Sequence, residues 1–436
     1  MIMAVHLVCY LEFADFTRQS LDGFGCVGKD IVSLERPDMI EGHTARASWF
    51  KSVGCAGLIA QLLLPLGQTP QIVAGQQESA PQQDVRSAAD VITAVPSKHR
   101  AAVQKQLAAA GENAAQLRQA IQKVAPEQIE SLVFLLVNMP ERDVKTLTSD
   151  YLLNNIAYAA RARQANSWSR ALPEELFFEH VLPYASANER RDDWRKDFFE
   201  RFQPLVKDCQ TASEAVGVLN VQVFKTLNVR YHATKRPKPD QSPYESVAAG
   251  YASCTGLSIL LIDACRAVGI PARMVGTPLW TNKSGNHTWV EVWDGQWHFV
   301  GACEPGRLNK TWFLGRAQAA DESQMVHRIY ATRFRRSDTW FPLVWDRSIR
   351  YVAADDVTRF YTKRRQVTFE NDGAPLQMTV RRNGRIVAAS VVSGKADVVL
   401  AGDSEYELEV VAVDGGEPRV RVFKLAGDKG QTIRLR

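Results

Sequence analysis

The sequence predicts an α+β protein in three successive parts: a helical N-terminal region, a mixed core built on one buried helix, and a C-terminal β-sandwich. Three observations predict it. From Leu257 to Val268 almost every residue is apolar, and a helix that is apolar nearly all round belongs in the middle of a domain. Residues 84–225 read as a succession of helical segments. Residues 365–436 alternate apolar and polar in short runs separated by turn residues.

The central helix carries its own boundaries. Gly250 and Ser253 stand before it, with Ser253 as a candidate cap, while Gly269 is placed for a C-terminal cap and Pro271 stops continuation. Cys254 then falls in the first turn, where unpaired backbone N–H groups and the helix dipole favour a thiolate. The same residue also fits a plain core cysteine, because free Cys is commonly buried. The downstream sequence favours the reactive reading. Gly285-Asn286-His287-Thr288-Trp289-Val290-Glu291-Val292-Trp293 alternates like a strand, Asp294-Gly295 is a hairpin turn, and Gln296 to Val300 reads as the returning strand. His287 begins the first of these strands and so lies near a sheet edge. A cysteine on a helix N-terminus with a histidine on a following strand is the nucleophile–base pairing of thiol acyl transfer.

These residues resemble the transglutaminase-like, or papain-like, superfamily. The matching features are the Cys254 helix, Cys265-Arg266-Ala267-Val268-Gly269-Ile270-Pro271-Ala272-Arg273, the His287-Thr288-Trp289-Val290-Glu291-Val292 strand, and Trp297 opening the next strand; together they span roughly residues 240–315. Trp297 through Ala302-Cys303-Glu304 is similar to a run in the peptide N-glycanases of that superfamily. The resemblance implies a core in which a buried Cys-bearing helix packs on an antiparallel sheet. It implies Cys254 as nucleophile and His287 as its partner. The family's third catalytic residue is an Asp on the second strand, and Gly301 stands in the matching place. Glycine cannot orient an imidazole. Glu304, three residues on, is the nearest carboxylate and the substitute candidate, with Asn286 and backbone carbonyls as others. An upstream amide helps hold the oxyanion in papain-like sites, and Gln241 is the amide available here; a solvated loop residue is its plain alternative. The backbone N–H of Cys254 is the safer oxyanion donor.

Composition narrows the function classes. With 436 residues, 45% hydrophobic and 23% charged, the chain is globular and long enough for several domains. A formal net charge of +5, sign-mixed, gives no nucleic-acid footprint. Arg333, Arg335 and Arg336 read as solvated surface. The 7 cysteines show no CxxC, and Cys254, Cys265 and Cys303 read as one nucleophile and two core or supporting residues. His287, His298 and Cys303 are close in sequence but lack matched metal-ligand spacing, so neither metal nor cofactor is expected.

In chain order, residues 1–45 have no clear period and read as a non-native or disordered N-terminus. Arg46, Trp49 and Lys51 precede the apolar run Val53–Leu66, with small residues at Ala74-Gly75, so residues 46–75 read as a secretory signal displaced from the N-terminus. Export to the periplasm or exterior, with Met39 as the true start, is the expectation; a short buried or interfacial helix is the alternative. The run is too short and interrupted for a membrane span. A Gln-rich linker leads into a helical domain at 84–228, broken at Pro96 and Pro126, in which Ser169 is placed to cap a helix with Pro173 in its first turn. Trp194, Phe177, Phe178, Phe198 and Phe199 read as core.

The core itself is assigned to residues 229–350, with 231–250 a Pro-, Lys- and Ser-rich loop. Trp280, Trp289, Trp293 and Trp312 fit either an aromatic-lined groove for an extended polypeptide or core packing. In 365–436, alternating runs at 367–369, 376–380, 385–391, 397–400, 406–413, 419–425 and 432–435 suggest an immunoglobulin-like sandwich used for attachment or substrate presentation. The expectation is a cysteine-dependent acyl-transfer enzyme on amide bonds of a peptide or protein substrate, hydrolysis favoured. The alternatives are a catalytically weak or inactive scaffold for protein binding and a true protein-glutamine transglutaminase.

Overall fold

The computed structural model describes residues 88–402, 404–426 and 430–435. The segments 1–45 and 46–75, and the proposed start at Met39, lie outside the described residues.

Helices between Ala88 and His180 enclose one hydrophobic cluster that includes Leu117, Leu132, Leu135, Ile156 and Phe177. The longest of them, α1 (Ser149–Ala165), is started by Thr148, whose hydroxyl accepts from Tyr151 N at 3.2 Å. The next long helix of this cluster begins at Glu174 and not at a Ser169 cap; Ser169 is buried in a separate short helix, Ser167–Arg170. The reason is tertiary: Ser169 packs against Gly269, where an added Cβ would lie 2.5 Å from the Ser169 hydroxyl oxygen.

Helices α2 (Arg195–Val206) and α3 (Ala212–Leu227) turn instead to a second cluster, contributing Phe198, Phe202, Leu219 and Val223. A short parallel pair, β1 (Arg230–Tyr231) and β2 (Tyr251–Ala252), brackets the approach to the central helix. Between them lies α4 (Pro243–Ala249), in a stretch whose composition reads as loop. Its start is specified locally: Pro243 takes the first helical position, and Ser242 and Glu245 form a reciprocal capping box. The helix that follows, α5 (Cys254–Ala267), is buried at every position after Cys254. It ends at Gly269, whose φ of +76° is open to glycine and whose Cα is pressed against Ser169 and Ala162.

Helix α5 packs on a sheet of β3 (Ala272–Thr277), β4 (His287–Trp293), β5 (Trp297–Val300), β6 (Tyr330–Thr332) and β7 (Ala354–Asp356), ordered β5-β4-β3-β6-β7 and antiparallel throughout. Leu257, Leu260, Leu261 and Ala264 meet Met274, Val290 and Val292 in the same cluster. The β4–β5 turn is the expected Asp294-Gly295, with Gly295 at φ +72°.

The C-terminal strands are β8 (Arg364–Arg382), β9 (Arg385–Ala401), β10 (Ser404–Ala412), β11 (Arg419–Leu425) and β12 (Gln431–Arg434). They are five strands of one hydrogen-bonded sheet where the alternation suggests seven. Runs 367–369 and 376–380 are both parts of β8, and 385–391 and 397–400 are both parts of β9. The register shifts between Asn371 and Leu376, so Asp372-Gly373-Ala374-Pro375 is an irregularity within a long hairpin and not a turn between strands. This sheet grips the β4–β5 turn: Ala389 N donates to Gly295 O at 3.1 Å, and Val399 N donates to Gln296 Oε1 at 2.9 Å. Among the described residues, no helix is long and apolar enough to cross a membrane.

Candidate active site

Cys254 opens α5 at its N-terminal end. Ser253 caps the helix, accepting from Gly256 N at 3.3 Å, while its own hydroxyl donates to Pro239 O at 2.8 Å. His287 opens β4, paired in register with Thr277 of β3. The two elements are tied one residue beyond each reactive side chain, where the Thr255 and Thr288 hydroxyl oxygens lie 3.1 Å apart. Cys254 and His287 consequently line the same cavity, about 780 Å³ including its open mouth. Tyr231, Trp280, Glu304, Trp312 and Arg316 line it with them.

The imidazole sits among aromatic rings. Trp312 and Phe313 each lie 4.9 Å from it between centroids, and Trp289 lies at 5.8 Å. Its Nε2 is buried and makes no hydrogen bond. Burial, with the Arg316 guanidinium adding to it, pushes the His287 pKa down to about 3. Burial thus favours the neutral imidazole.

Glu304 reaches the cavity from the turn after β5. A Cβ added at Gly301 would fall 1.9 Å from Glu304 Oε2 and 2.3 Å from its carboxyl carbon. The carboxylate thus occupies the volume that a side chain at 301 would fill. Trp312 Nε1 donates to Glu304 Oε1 at 2.9 Å. Burial raises the Glu304 pKa to about 7, with the Trp312 N–H opposing that rise. Asn220, from α3, fixes the turn: its Nδ2 donates to Gly301 O and to Glu304 O at 2.9 Å each, and its Oδ1 accepts from Cys303 N at 2.8 Å.

Gln241 is fully buried but is not among the residues lining the cavity. Its Nε2 donates to Tyr251 O at 3.0 Å and to Glu245 O at 3.4 Å, so its N–H groups are spent on backbone beside the nucleophile. The Cys254 backbone N–H belongs to the first turn of α5. Asn286 lines the cavity. Cys303 also lines it, with burial pushing its thiol up to about 11, whereas Cys265 is wholly buried with its thiol pushed up further. Of the four tryptophans near the motif, Trp280 and Trp312 line the cavity, and Trp289 and Trp293 are core. Asn220 and Arg316 escape a reading of the sequence, because each reaches the site from an element with no local motif. Among the described residues no group of three or more His, Cys, Asp or Glu side chains is placed to hold a metal ion.

Comparison with known proteins bears on this arrangement. Residues 201–302 match the model of the transglutaminase-like superfamily. No curated protein sequence matches the chain. Among solved structures the chain is similar to a proposed cysteine protease from Cytophaga hutchinsonii, at 14% identity and a TM-score of 0.27, covering 62% of this chain and 62% of that one. It is also similar to red sea bream transglutaminase, at 11% identity and a TM-score of 0.28, covering 59% of this chain and 65% of that one. The chain thus spans less than two thirds of the length of either structure.

Proposed function

We propose, from the premise that residues 201–302 form a transglutaminase-like core, that the protein is a cysteine-dependent acyl-transfer enzyme acting on amide bonds of peptides or proteins, with water as the favoured acceptor. One observation carries the reading: Cys254 at a helix N-terminus and His287 at a strand start line one cavity, with their neighbours Thr255 and Thr288 bonded at 3.1 Å. Neutral His287 takes the thiol proton as Cys254 Sγ attacks the amide carbonyl carbon. The Cys254 N–H stabilises the oxyanion, and the imidazolium returns its proton to the leaving amine. Water, deprotonated by His287, then releases the acyl group. Glu304, when ionised, favours the transient imidazolium from its place beside Trp312.

Site-resolved alkylation tests this reading. Iodoacetamide should modify Cys254 faster than Cys265 and Cys303 near neutral pH, and Cys254→Ala should abolish amide hydrolysis. Equal rates at the three thiols would sink it. Incorporation of a fluorescent primary amine into a protein glutamine donor would instead mark a transglutaminase. The scaffold reading has its own support in the unpartnered Nε2 of His287, and a slow Cys254 would favour it. Export through residues 46–75 belongs to the same proposal, resting on the basic-then-apolar order of that segment. Peptides from residues 1–38 in the natural product would overturn it.

A further inference from the structure

The Glu304 carboxylate fills the volume beside Gly301 and needs something to hold it, because Glu304 hangs from a turn and not from a strand. The turn's backbone is held by Asn220, but Asn220 bonds only main-chain atoms there. The side chain is held by Trp312, whose Nε1 donates to Glu304 Oε1 at 2.9 Å. The other face of the same residue is used as well. The Trp312 ring lies 4.9 Å from the His287 ring, inclined by 54°, and is braced edge-on by Phe313 at 5.7 Å. Arg316 sits over it, 5.4 Å from the ring centroid. One indole therefore touches both the carboxylate and the imidazole, which otherwise share no hydrogen bond through the orphaned Nε2.

We propose that Trp312 is a positioning residue, whose N–H holds the Glu304 carboxylate in the volume left open by Gly301 while its ring face fixes the orientation of His287. The inference rests on the acyl-transfer reading of Cys254 and His287 and deepens it. The ionisable groups sharing the cavity with Glu304 are Cys254, His287, Cys303, Tyr231 and Arg316. Burial holds the His287 pKa down to about 3 and pushes that of Cys303 up to about 11. An inflection near pH 7 that disappears with the Glu304 carboxyl therefore belongs to Glu304, whose pKa is about 7. Removing the Trp312 N–H takes away a bond that favours the charged carboxylate, so the inflection moves to higher pH.

The test is the pH dependence of Cys254 alkylation by iodoacetamide, followed by peptide mass spectrometry on the full chain. Trp312→Phe keeps an aromatic ring and loses the N–H. It should move the inflection upward and slow alkylation at pH 7 several-fold. Glu304→Gln should remove the inflection, leaving only the thiol's own ionisation. In the Glu304→Gln background, Trp312→Phe should cause no further pH shift, which a loss of packing alone would not produce. An inflection unmoved in Trp312→Phe, with alkylation still dependent on His287, overturns the role of Trp312 and leaves the acyl-transfer reading standing. If Trp312→Phe does not fold, Glu304→Gln alone serves: an inflection that survives it overturns the proposal. Cys254 reacting no faster than Cys265 in the unaltered protein removes the acyl-transfer reading itself, and the proposal with it.

Discussion

The two ends of strand β4 treat a buried polar side chain in opposite ways. Glu291, toward the C-terminal end, is 4% exposed and fully partnered: Arg273 bonds one carboxylate oxygen at 2.6 and 2.7 Å, and Tyr361 donates to the other at 2.6 Å. Tyr361 in turn accepts from Trp289 Nε1 at 2.8 Å. His287, at the N-terminal end, is 9% exposed, ringed by aromatics, and has a nitrogen with no partner. Both lie in one strand and one sheet. The difference teaches that the first network is there to hold the sheet together. The second end leaves bonding capacity unspent, which is costly to a fold.

The comparison can be broken most severely at the histidine. His287→Ala should cut the rate of amide hydrolysis by about 10³-fold, the range for a lost general base, with a smaller fall in the urea midpoint at pH 8 from the lost packing among the aromatic rings. A large fall in stability with activity retained would reverse the assignment of the two ends. At the other end, Arg273→Leu leaves the buried Glu291 carboxylate without its ion partner, held only by Tyr361. It should cost about 3–5 kcal/mol in urea denaturation, with Cys254 alkylation in the folded fraction little altered.

pH sharpens the contrast. Burial raises the Glu304 pKa to about 7 from the ordinary 4.5, so folding is favoured with the carboxyl protonated. That contribution is fully present below pH 4.5 and is lost as pH rises through about 7. Glu304→Gln should therefore stabilise the protein above pH 7, by at most about 3 kcal/mol, and have little effect near pH 4. Thermal melts across pH 4–9 check this, and a variant no more stable at pH 8 than the unaltered protein contradicts the burial argument. His287 runs the other way. Its pKa is lowered from 6.5 to about 3, so its neutral form stabilises the fold above pH 6.5, and that contribution is lost as pH falls toward 3.

The mildest perturbation is a single methyl group. Gly301→Ala would place a carbon against the Glu304 carboxylate, which must then leave its position. Hydrolysis should fall about tenfold to a hundredfold, the scale for displaced catalytic groups. Gly301→Asp combined with Glu304→Ala should recover part of the loss, since it returns the carboxylate to the strand end. Failure of that exchange, in a folded protein, would mean that the carboxylate is not part of the machinery.

Much of the site was legible because its parts are local. The apolar run, Ser253 and Gly269 delimit α5, and Asp294-Gly295 places the hairpin that carries His287. Chain proximity alone makes Glu304 a candidate substitute for the missing Asp; its occupation of the Gly301 volume is set by the folded turn. Gln241 lies upstream of Cys254 in sequence, but its N–H groups answer to the Tyr251 and Glu245 carbonyls, a choice made by backbone geometry. Helix α4 was missed although the Ser242-Pro243…Glu245 signature was present, because the surrounding Pro and Lys residues dominate the composition. Asn220, Trp312 and Arg316 gain their roles only through tertiary approach. In the C-terminal sheet, Asp372–Pro375 has the chemistry of a turn, so a bulge within β8 was indistinguishable from a strand boundary.

The grip of the C-terminal sheet on the β4–β5 turn has a consequence for biosynthesis. Gln296 finds the Val399 amide across a separation of 103 positions. A ribosome must add that length before the hairpin bearing the imidazole has its last anchor. During that interval the thiol is already made but its scaffold is unfinished. A polypeptide aborted in this window carries the sulfur without the completed framework.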